Sequence, residues 1–166
     1  LLATLCMLFA GCTSAYLVRR AGVDWHPISM PTILWFNTGL LFSSSITMEL
    51  ARACMRRWRT KALKGWLLAT TVLGLAFLVG QFFAWQQLVA QGVYVPTSPH
   101  SSFFYMLTGV HGVHLVGGVL ALFFVLSRVW RARWSSDKPD AVNLCATYWH
   151  FVDGLWLYLF LLMFAW

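Results

Sequence analysis

The sequence predicts an all-α membrane protein, a polytopic bundle of transmembrane helices that forms a single domain over residues 1–166. Of its residues, 60% are apolar and only 10% are charged, a balance outside the usual range of soluble globular domains. Five stretches approach the length of about 20 apolar residues that a helix needs to cross a bilayer. They are residues 1–18, 31–50, 66–88, 103–127 and 142–166.

The boundaries of these segments carry residues typical of helix ends. The first segment begins at Leu1 without an initiator methionine or a basic flank, so we expect the chain to be truncated or incompletely read there. The second segment follows Pro27 and Pro31, and the third follows a basic run. The fourth follows Pro99 and the fifth follows Pro139, because proline is tolerated at a helix start but not in its interior.

The cations are distributed unequally between the two sides of the predicted bundle. Ten of the 12 lysine and arginine residues lie in the loops after the second and fourth segments, and Arg19 and Arg20 are the other two. Basic loops face the bacterial cytoplasm or the mitochondrial matrix. The first helix is therefore predicted to run outward, and the carboxyl end at Trp166 to lie outside. Membrane topology thus accounts for the net charge of +7 and disfavours nucleic acid as a partner.

The cysteines show no spacing typical of a metal site, and we expect them to be reduced, buried thiols. They are Cys6, Cys12, Cys54 and Cys145. Two histidines, His26 and His100, fall in the predicted outer loops and are interpreted as solvated or interfacial side chains.

The last two segments contain ionisable residues at membrane depth. His111 and His114 lie in T-G-V-H-G-V-H-L-V-G-G, residues 108–118, and His150 and Asp153 lie in Y-W-H-F-V-D-G-L-W, residues 148–156. Such groups are costly in a bilayer and normally face a protein interior. A rise of about 1.5 Å per residue places His114 about 16 Å and Asp153 about 20 Å from the outer ends of their helices. We therefore expect the two side chains to meet near the midplane, as a polar seam between the fourth and fifth helices.

The first interpretation of this seam is structural: a clamp in which Asp153 is either protonated or compensated by a histidine. The glycines of the fourth segment would allow the two helices to approach closely. They are Gly109, Gly112, Gly117 and Gly118. A role in proton transfer or regulation and a metal or haem site are the alternatives. Haem is disfavoured because His111 and His114 are too close to serve two haems, and no converging ligand set for zinc or copper is evident.

At these two motifs the chain resembles subunit III of the haem-copper oxidases, the cytochrome c oxidase family, and the resemblance extends over nearly its whole length. Supporting similarity lies in N-T-G-L-L-F-S-S-S-I-T, residues 37–47, and in L-G-L-A-F-L-V-G-Q, residues 73–81, with weaker similarity in residues 7–16. The five predicted helices correspond to the last five of the longer seven-helix form, as in the short bacterial form. The orientation derived from charge agrees with that of the family.

The resemblance implies a non-catalytic core subunit of a proton-pumping terminal oxidase that reduces oxygen to water in aerobic respiration. Haem and copper then belong to partner subunits I and II, and no catalytic, cofactor-binding or metal-binding residue is expected in this chain. Whether the chain alone counts as an enzyme is left open. Family members pack beside subunit I, bind phospholipid in a cleft and support proton uptake. The implied location is a bacterial plasma membrane rather than a mitochondrial inner membrane, within a multisubunit complex. Assembly into a respiratory supercomplex is compatible with the resemblance.

Arg128 occupies the position of a family arginine that binds a lipid headgroup, and a guanidinium at the interface suits a phosphate. The alternative is an ordinary basic residue that extends to the interface. Two positions depart from the family pattern. Leu5 stands where a glutamate is expected, so the role of the family glutamate does not apply to this chain. Ala84 and Trp85 stand where the family has a Glu-Tyr pair. Glu49 is an additional acid that we expect to pair with an arginine such as Arg52 or Arg56.

Two other functions fit the same features. An accessory subunit of a quinol oxidase or a nitric oxide reductase would look much alike, because another chain determines the electron donor. From a different class, a small proton-coupled transporter could use His114, His150 and Asp153 as a relay.

Overall fold

The computed structural model describes residues 2–20, 22, 32–92, 94, 99–131 and 140–164. This part of the chain contains five α-helices and no strand. The helices are α1 (Leu2–Arg20), α2 (Ile33–Arg56), α3 (Thr60–Ala90), α4 (Pro99–Trp130) and α5 (Asp140–Phe164). The predicted helical fold and its five elements are confirmed. The helices α2 and α3 continue beyond the predicted apolar segments into the basic region between them, where a turn of residues 57–59 connects them.

Within the described residues, three helices are long and apolar enough to span a membrane by length and composition: α1, α3 and α4. The helices α2 and α5 have 24 and 25 residues, which is also sufficient length. Both helices carry polar groups within their length: α2 has a run of serines and Glu49, and α5 has His150 and Asp153. These polar groups face one another across the α2–α5 interface, as described below.

The helices α2, α3, α4 and α5 form a ring in which each packs against two others. The helix α2 contacts α3 and α5, α4 contacts α3 and α5, and α1 lies outside the ring against α4. Large apolar side chains such as Phe42, Val79 and Val113 are exposed on the outer faces of the helices. An apolar outer surface of this kind is typical of proteins that meet lipid or other subunits.

A single tryptophan connects all four helices of the ring. The fully buried indole of Trp149 on α5 donates a hydrogen bond of 2.7 Å from Nε1 to the Ser44 hydroxyl on α2. A Cβ atom added to Gly74 on α3 would lie 2.7 Å from Cη2 of this indole, and one added to Gly118 on α4 would lie 3.2 Å from Cε3. The two glycines therefore provide the space that the indole occupies.

The predicted role of the α4 glycines in helix packing holds only in part. Gly118 packs against Trp149, and a Cβ at Gly117 would lie 3.8 Å from the Tyr148 hydroxyl. At Gly109 and Gly112, however, no atom of the described chain lies within 4 Å of the added Cβ, so the prediction is wrong for these two positions.

Two other predictions need correction. His100 lies in the first turn of α4 and is only 4% exposed, with its ring 6.1 Å from the ring of Tyr16, so it is neither a loop residue nor solvated. His26 and Trp166 lie outside the described residues. The four cysteines are free thiols as predicted, but only Cys145 is buried, whereas Cys6 is exposed.

Candidate functional site between helices α2 and α5

A continuous series of polar side chains follows the interface between α2 and α5. The Ser45 Oγ atom lies 2.7 Å from Oδ2 of Asp153 and 3.0 Å from Nδ1 of His150. The Nε2 atom of His150 lies 3.0 Å from Oε1 of Glu49, which accepts a hydrogen bond of 2.6 Å from Nη1 of Arg52. We refer to Ser45, Glu49, Arg52, His150 and Asp153 together as the polar line.

Helical spacing explains why these residues form one line. Residues 45, 49 and 52 recur at intervals of four and three, which places them on one face of α2, and residues 150 and 153 share a face of α5. The two helices are antiparallel here, since Ser45 meets Asp153 while Arg52 Nε lies 3.4 Å from Oδ1 of Asn143. Each face is too polar for lipid, and pairing the two faces removes part of this polar surface from it.

Accessibility changes along the polar line. The Glu49 side chain is 47% exposed, and that of its neighbour His150 is 31% exposed. At the other end, Oδ1 of Asp153 is buried and has no hydrogen-bond partner. The polar line therefore connects the exposed carboxylate of Glu49 to the carboxyl group of Asp153, whose Oδ1 atom is buried more than one helical turn away.

The predicted meeting of His114 with Asp153 is wrong. The Nδ1 atom of His114 lies 2.8 Å from the Val110 carbonyl on its own helix, and its ring packs edge-on against Phe9. Asp153 bonds to Ser45 of α2 instead. Sequence spacing determines the depth of a side chain and the face that it occupies, but not the neighbouring helix that this face meets. The helix α5 turns His150 and Asp153 toward α2, and contacts α4 through Tyr148, whose hydroxyl donates to the His114 carbonyl at 3.0 Å.

His111 lies in a different environment from the polar line. It is completely buried, with its ring 5.2 Å from the ring of Trp156 and 6.1 Å from that of Phe77, and neither ring nitrogen has a hydrogen-bond partner. Trp156 in turn donates from Nε1 to the Thr38 hydroxyl at 3.2 Å. The four predicted seam residues thus separate into two places: His150 and Asp153 in the polar line, and His111 and His114 on α4 with other contacts.

Part of the polar line could be predicted from the sequence. The prediction that Glu49 pairs with Arg52 is confirmed by the contact of 2.6 Å. The additional contact of Glu49 with His150, and the central position of Ser45, were not predicted. The serine run of residues 43–45 was visible in the sequence, but a helical serine more often bonds to its own backbone, as Ser43 does to the Gly39 carbonyl at 2.9 Å.

A cleft opens between α1 and α5 beside the polar line. Its volume is about 370 Å³, and its lining is almost entirely apolar. The lining residues are Cys6, Phe9, Ala10, His150, Phe151, Gly154, Leu155 and Tyr158. At one position the two helices are connected across it, because the Tyr158 hydroxyl donates to the Thr13 hydroxyl at 3.1 Å.

Comparison with known sequences identifies the family. A sequence model described as cytochrome c oxidase subunit III matches residues 2–166. The chain belongs to the cytochrome c oxidase subunit III family. It is 33% identical over 158 residues to the probable cytochrome c oxidase subunit 3 of Mycobacterium leprae (strain TN), covering 93% of this chain and 78% of that protein.

Two further relatives support the same family. The cytochrome c oxidase subunit 3 of Corynebacterium diphtheriae is 33% identical over 163 residues, covering 93% of this chain and 79% of that protein. The cytochrome c oxidase subunit 3 of Synechocystis sp. is 33% identical over 166 residues, covering 95% of this chain and 69% of that protein. As a member of the subunit III family, the chain is a membrane-embedded subunit of a multisubunit haem-copper oxidase complex.

The motifs that resemble subunit III are in contact with one another in the fold. Residues 37–47 supply Ser44 and Ser45, and residues 148–156 supply their partners Trp149, His150 and Asp153. Residues 73–81 supply Gly74, against which Trp149 packs. The subunit III motifs therefore meet around Trp149 and the polar line.

At both positions that depart from the subunit III pattern, the residues present contribute to helix packing. Leu5, at the position of the expected glutamate, is 3% exposed and belongs to the apolar core. Ala84 is buried, and Trp85 donates from Nε1 to the Thr108 hydroxyl at 3.2 Å, which connects α3 to α4. Within the described residues, no group of three or more His, Cys, Asp or Glu side chains is arranged to hold a metal ion.

Arg128, the candidate for lipid binding, lies in the last turn of α4. Its guanidinium carbon lies 4.7 Å from the centroid of the Phe124 ring, and the residue is exposed. Stacking on an aromatic ring leaves the edge of the guanidinium, with its five N–H donors, available to an anion.

Proposed function

We propose that this chain is a non-catalytic core subunit of a proton-pumping cytochrome c oxidase that reduces oxygen to water in a bacterial plasma membrane. The match of residues 2–166 to the subunit III family is the observation that carries this proposal. Haem and copper are bound by partner subunits I and II in this proposal, and the chain packs beside subunit I. The apolar outer faces of its helices are suited to that contact.

The contacts of the intramembrane histidines support a non-catalytic role. The His150 nitrogens contact Ser45 and Glu49, and the His114 Nδ1 contacts the Val110 carbonyl. His111 is enclosed by the rings of Phe77 and Trp156. The three imidazoles thus have different surroundings, and among the described residues they do not converge on a common point as the ligands of a metal do.

The proposal includes bound phospholipid. The apolar cleft between α1 and α5 offers a surface for an acyl chain, since burying each methylene group contributes about 0.8 kcal/mol. Arg128 offers a bidentate contact for a headgroup phosphate at the end of α4. Lipid held in this way would fix the position of the chain in the complex and support the proton uptake that the oxidase requires.

Replacing Arg128 by glutamine should reduce the amount of phospholipid that co-purifies with the complex by roughly tenfold, because a charge-assisted hydrogen bond contributes about 1.5–3 kcal/mol. Native mass spectrometry after mild detergent extraction measures the retained lipid. Arg56→Gln, at another exposed helix end, is the matched control and should retain lipid as the unmodified chain does. Equal retention in both variants would show that Arg128 is an ordinary interfacial charge.

Removal of the chain from the purified oxidase tests the supporting role. We expect an unchanged haem spectrum and an initial rate of oxygen reduction that is largely retained, but an earlier loss of activity during continuous turnover. The measurement compares oxygen consumption over time with and without the chain, in matched lipid. An immediate loss of the haem spectrum would contradict a non-catalytic role.

A further inference from the structure

The Ser45 hydroxyl has one hydrogen but two hydrogen-bonding neighbours. Its oxygen lies 2.7 Å from Oδ2 of Asp153 and 3.0 Å from Nδ1 of His150. A hydroxyl group donates one hydrogen bond and accepts others. If Ser45 donates to Asp153, His150 must donate to Ser45 from Nδ1. If Ser45 donates to Nδ1 of His150, Asp153 must carry a proton and donate it to Ser45.

The other nitrogen of His150 has a fixed role. Its partner, Oε1 of Glu49, also accepts a hydrogen bond of 2.6 Å from the Arg52 guanidinium. An ionised carboxylate only accepts hydrogen bonds, so Nε2 of His150 must carry a hydrogen. Donation by Ser45 to Asp153 therefore requires an imidazolium, and a carboxylate at Asp153 is then needed to keep the pair without net charge. The opposite direction requires a neutral imidazole beside a carboxylic acid.

We infer that His150 and Asp153 share one exchangeable proton through the Ser45 hydroxyl, which makes this pair a proton-binding site. In the transfer, the N–H bond at Nδ1 breaks as a new O–H bond forms at Ser45. The original hydrogen of Ser45 passes to Oδ2 of Asp153. The reverse step restores the first state, and each state satisfies all three hydrogen bonds.

Charge explains why this transfer suits a membrane interior. The imidazolium with the carboxylate and the imidazole with the carboxylic acid both have zero net charge. Moving the proton between them creates no net charge in an environment where an uncompensated charge is expensive. Glu49, with a side chain 47% exposed, connects the pair to the surface of the chain through His150.

The surroundings of the pair contain few other ionisable groups. Glu49 and Arg52 face it from α2, and Cys6 of α1 and Tyr158 of α5 line the cleft together with His150. The histidines of α4 have other contacts, because His114 contacts its own helix and His111 lies among aromatic rings. This inference goes beyond the proposed function, since it follows from the geometry of three side chains and does not depend on partner subunits.

The test counts protons on the two residues in the full chain, in lipid nanodiscs near neutral pH. Nitrogen NMR of labelled histidine reports whether each ring nitrogen of His150 is protonated, and infrared spectroscopy reports the carboxylic acid band of Asp153. His150→Gln and Asp153→Asn assign the two signals. We expect the protonated fractions of His150 Nδ1 and Asp153 to sum to one. A sum of zero or of two would overturn the inference.

The bridge itself is tested by changing the hydroxyl group. Ser45→Ala should separate the two protonation states. A change in the protonated fraction of His150 Nδ1 should then no longer accompany an opposite change in the carboxylic acid band of Asp153. Ser45→Thr keeps a hydroxyl group and should restore the relation. Ser43→Ala is the matched control on the same helix, since the Ser43 hydroxyl is exposed and bonds to the Gly39 carbonyl. Identical spectra for Ser45→Ala and Ser43→Ala, or no restoration by Ser45→Thr, would contradict the inference.

Discussion

Replacing Gly74 by valine should destabilise the helix bundle by about 3 kcal/mol, at the upper end of the cost of overpacking a well-packed core. The new Cβ would lie 2.7 Å from Cη2 and 3.0 Å from Cζ2 of Trp149, and 3.3 Å from Cγ2 of Val119. The indole cannot easily move away, because Nε1 is bonded to Ser44 and the Cε3 and Cζ3 atoms lie against Gly118. Relief would require α3 to separate from α4 and α5.

The control for this substitution is Gly65→Val on the same helix. Apart from the backbone of its own helix, no atom of the described residues lies within 4 Å of a Cβ added to Gly65, so the same change in side chain meets no obstacle there. We expect less than about 1 kcal/mol of change for the control, because valine is no worse than glycine in a helix. Chemical unfolding in detergent, followed by tryptophan fluorescence, measures both variants. An equal loss of stability in both would show that Trp149 packing is not the cause.

Replacing Asp153 by leucine should cost about 2 kcal/mol of stability and weaken the retention of the chain in the complex. The leucine cannot accept the hydrogen bond from Ser45, and it removes the carboxyl group that is connected to His150 through the Ser45 hydroxyl. Breaking a fully buried ion pair costs about 3–5 kcal/mol. The lower value expected here reflects the His150 side chain, which is 31% exposed and keeps its contact with Glu49.

Asp153→Asn serves as the control, since it has nearly the same shape and keeps an oxygen that can accept from Ser45. We expect it to cost less than half as much as Asp153→Leu. The unfolding midpoint and the amount of chain that co-purifies with the complex are the two measurements. The haem spectrum of the remaining complex should be unchanged in both variants, and a loss of haem caused by Asp153→Leu would contradict the structural role of this residue.

Much of the fold follows from the sequence because the relevant physical requirements are local. A helix that crosses a bilayer needs a long apolar stretch, and the five stretches correspond to the five helices. The pairing of Glu49 with Arg52 could also be predicted, because residues three apart on a helix are neighbours. The motifs that resemble subunit III likewise marked residues that come together around Trp149.

The contacts that could not be predicted depend on the rotation of one helix relative to another. Equal depth made His114 a reasonable partner for Asp153, but α5 presents that carboxyl group to α2. The spacing of the α4 glycines likewise did not reveal that Gly118 faces Trp149 while Gly112 faces no atom of the described chain. Ser45 was overlooked because one serine in a run of three carries no signal of its own until the opposite helix is known.

The assignment to a haem-copper oxidase is tested most directly by purifying the full chain through an affinity tag in mild detergent, with mass spectrometry and an optical spectrum of the product. We expect subunit I and a copper-bearing subunit II to co-purify, and the haem absorption to disappear when the chain is then separated from them. A chain that is isolated without haem-bearing partners and transports a solute in liposomes would contradict the account, as would a haem absorption band that stays with the isolated chain.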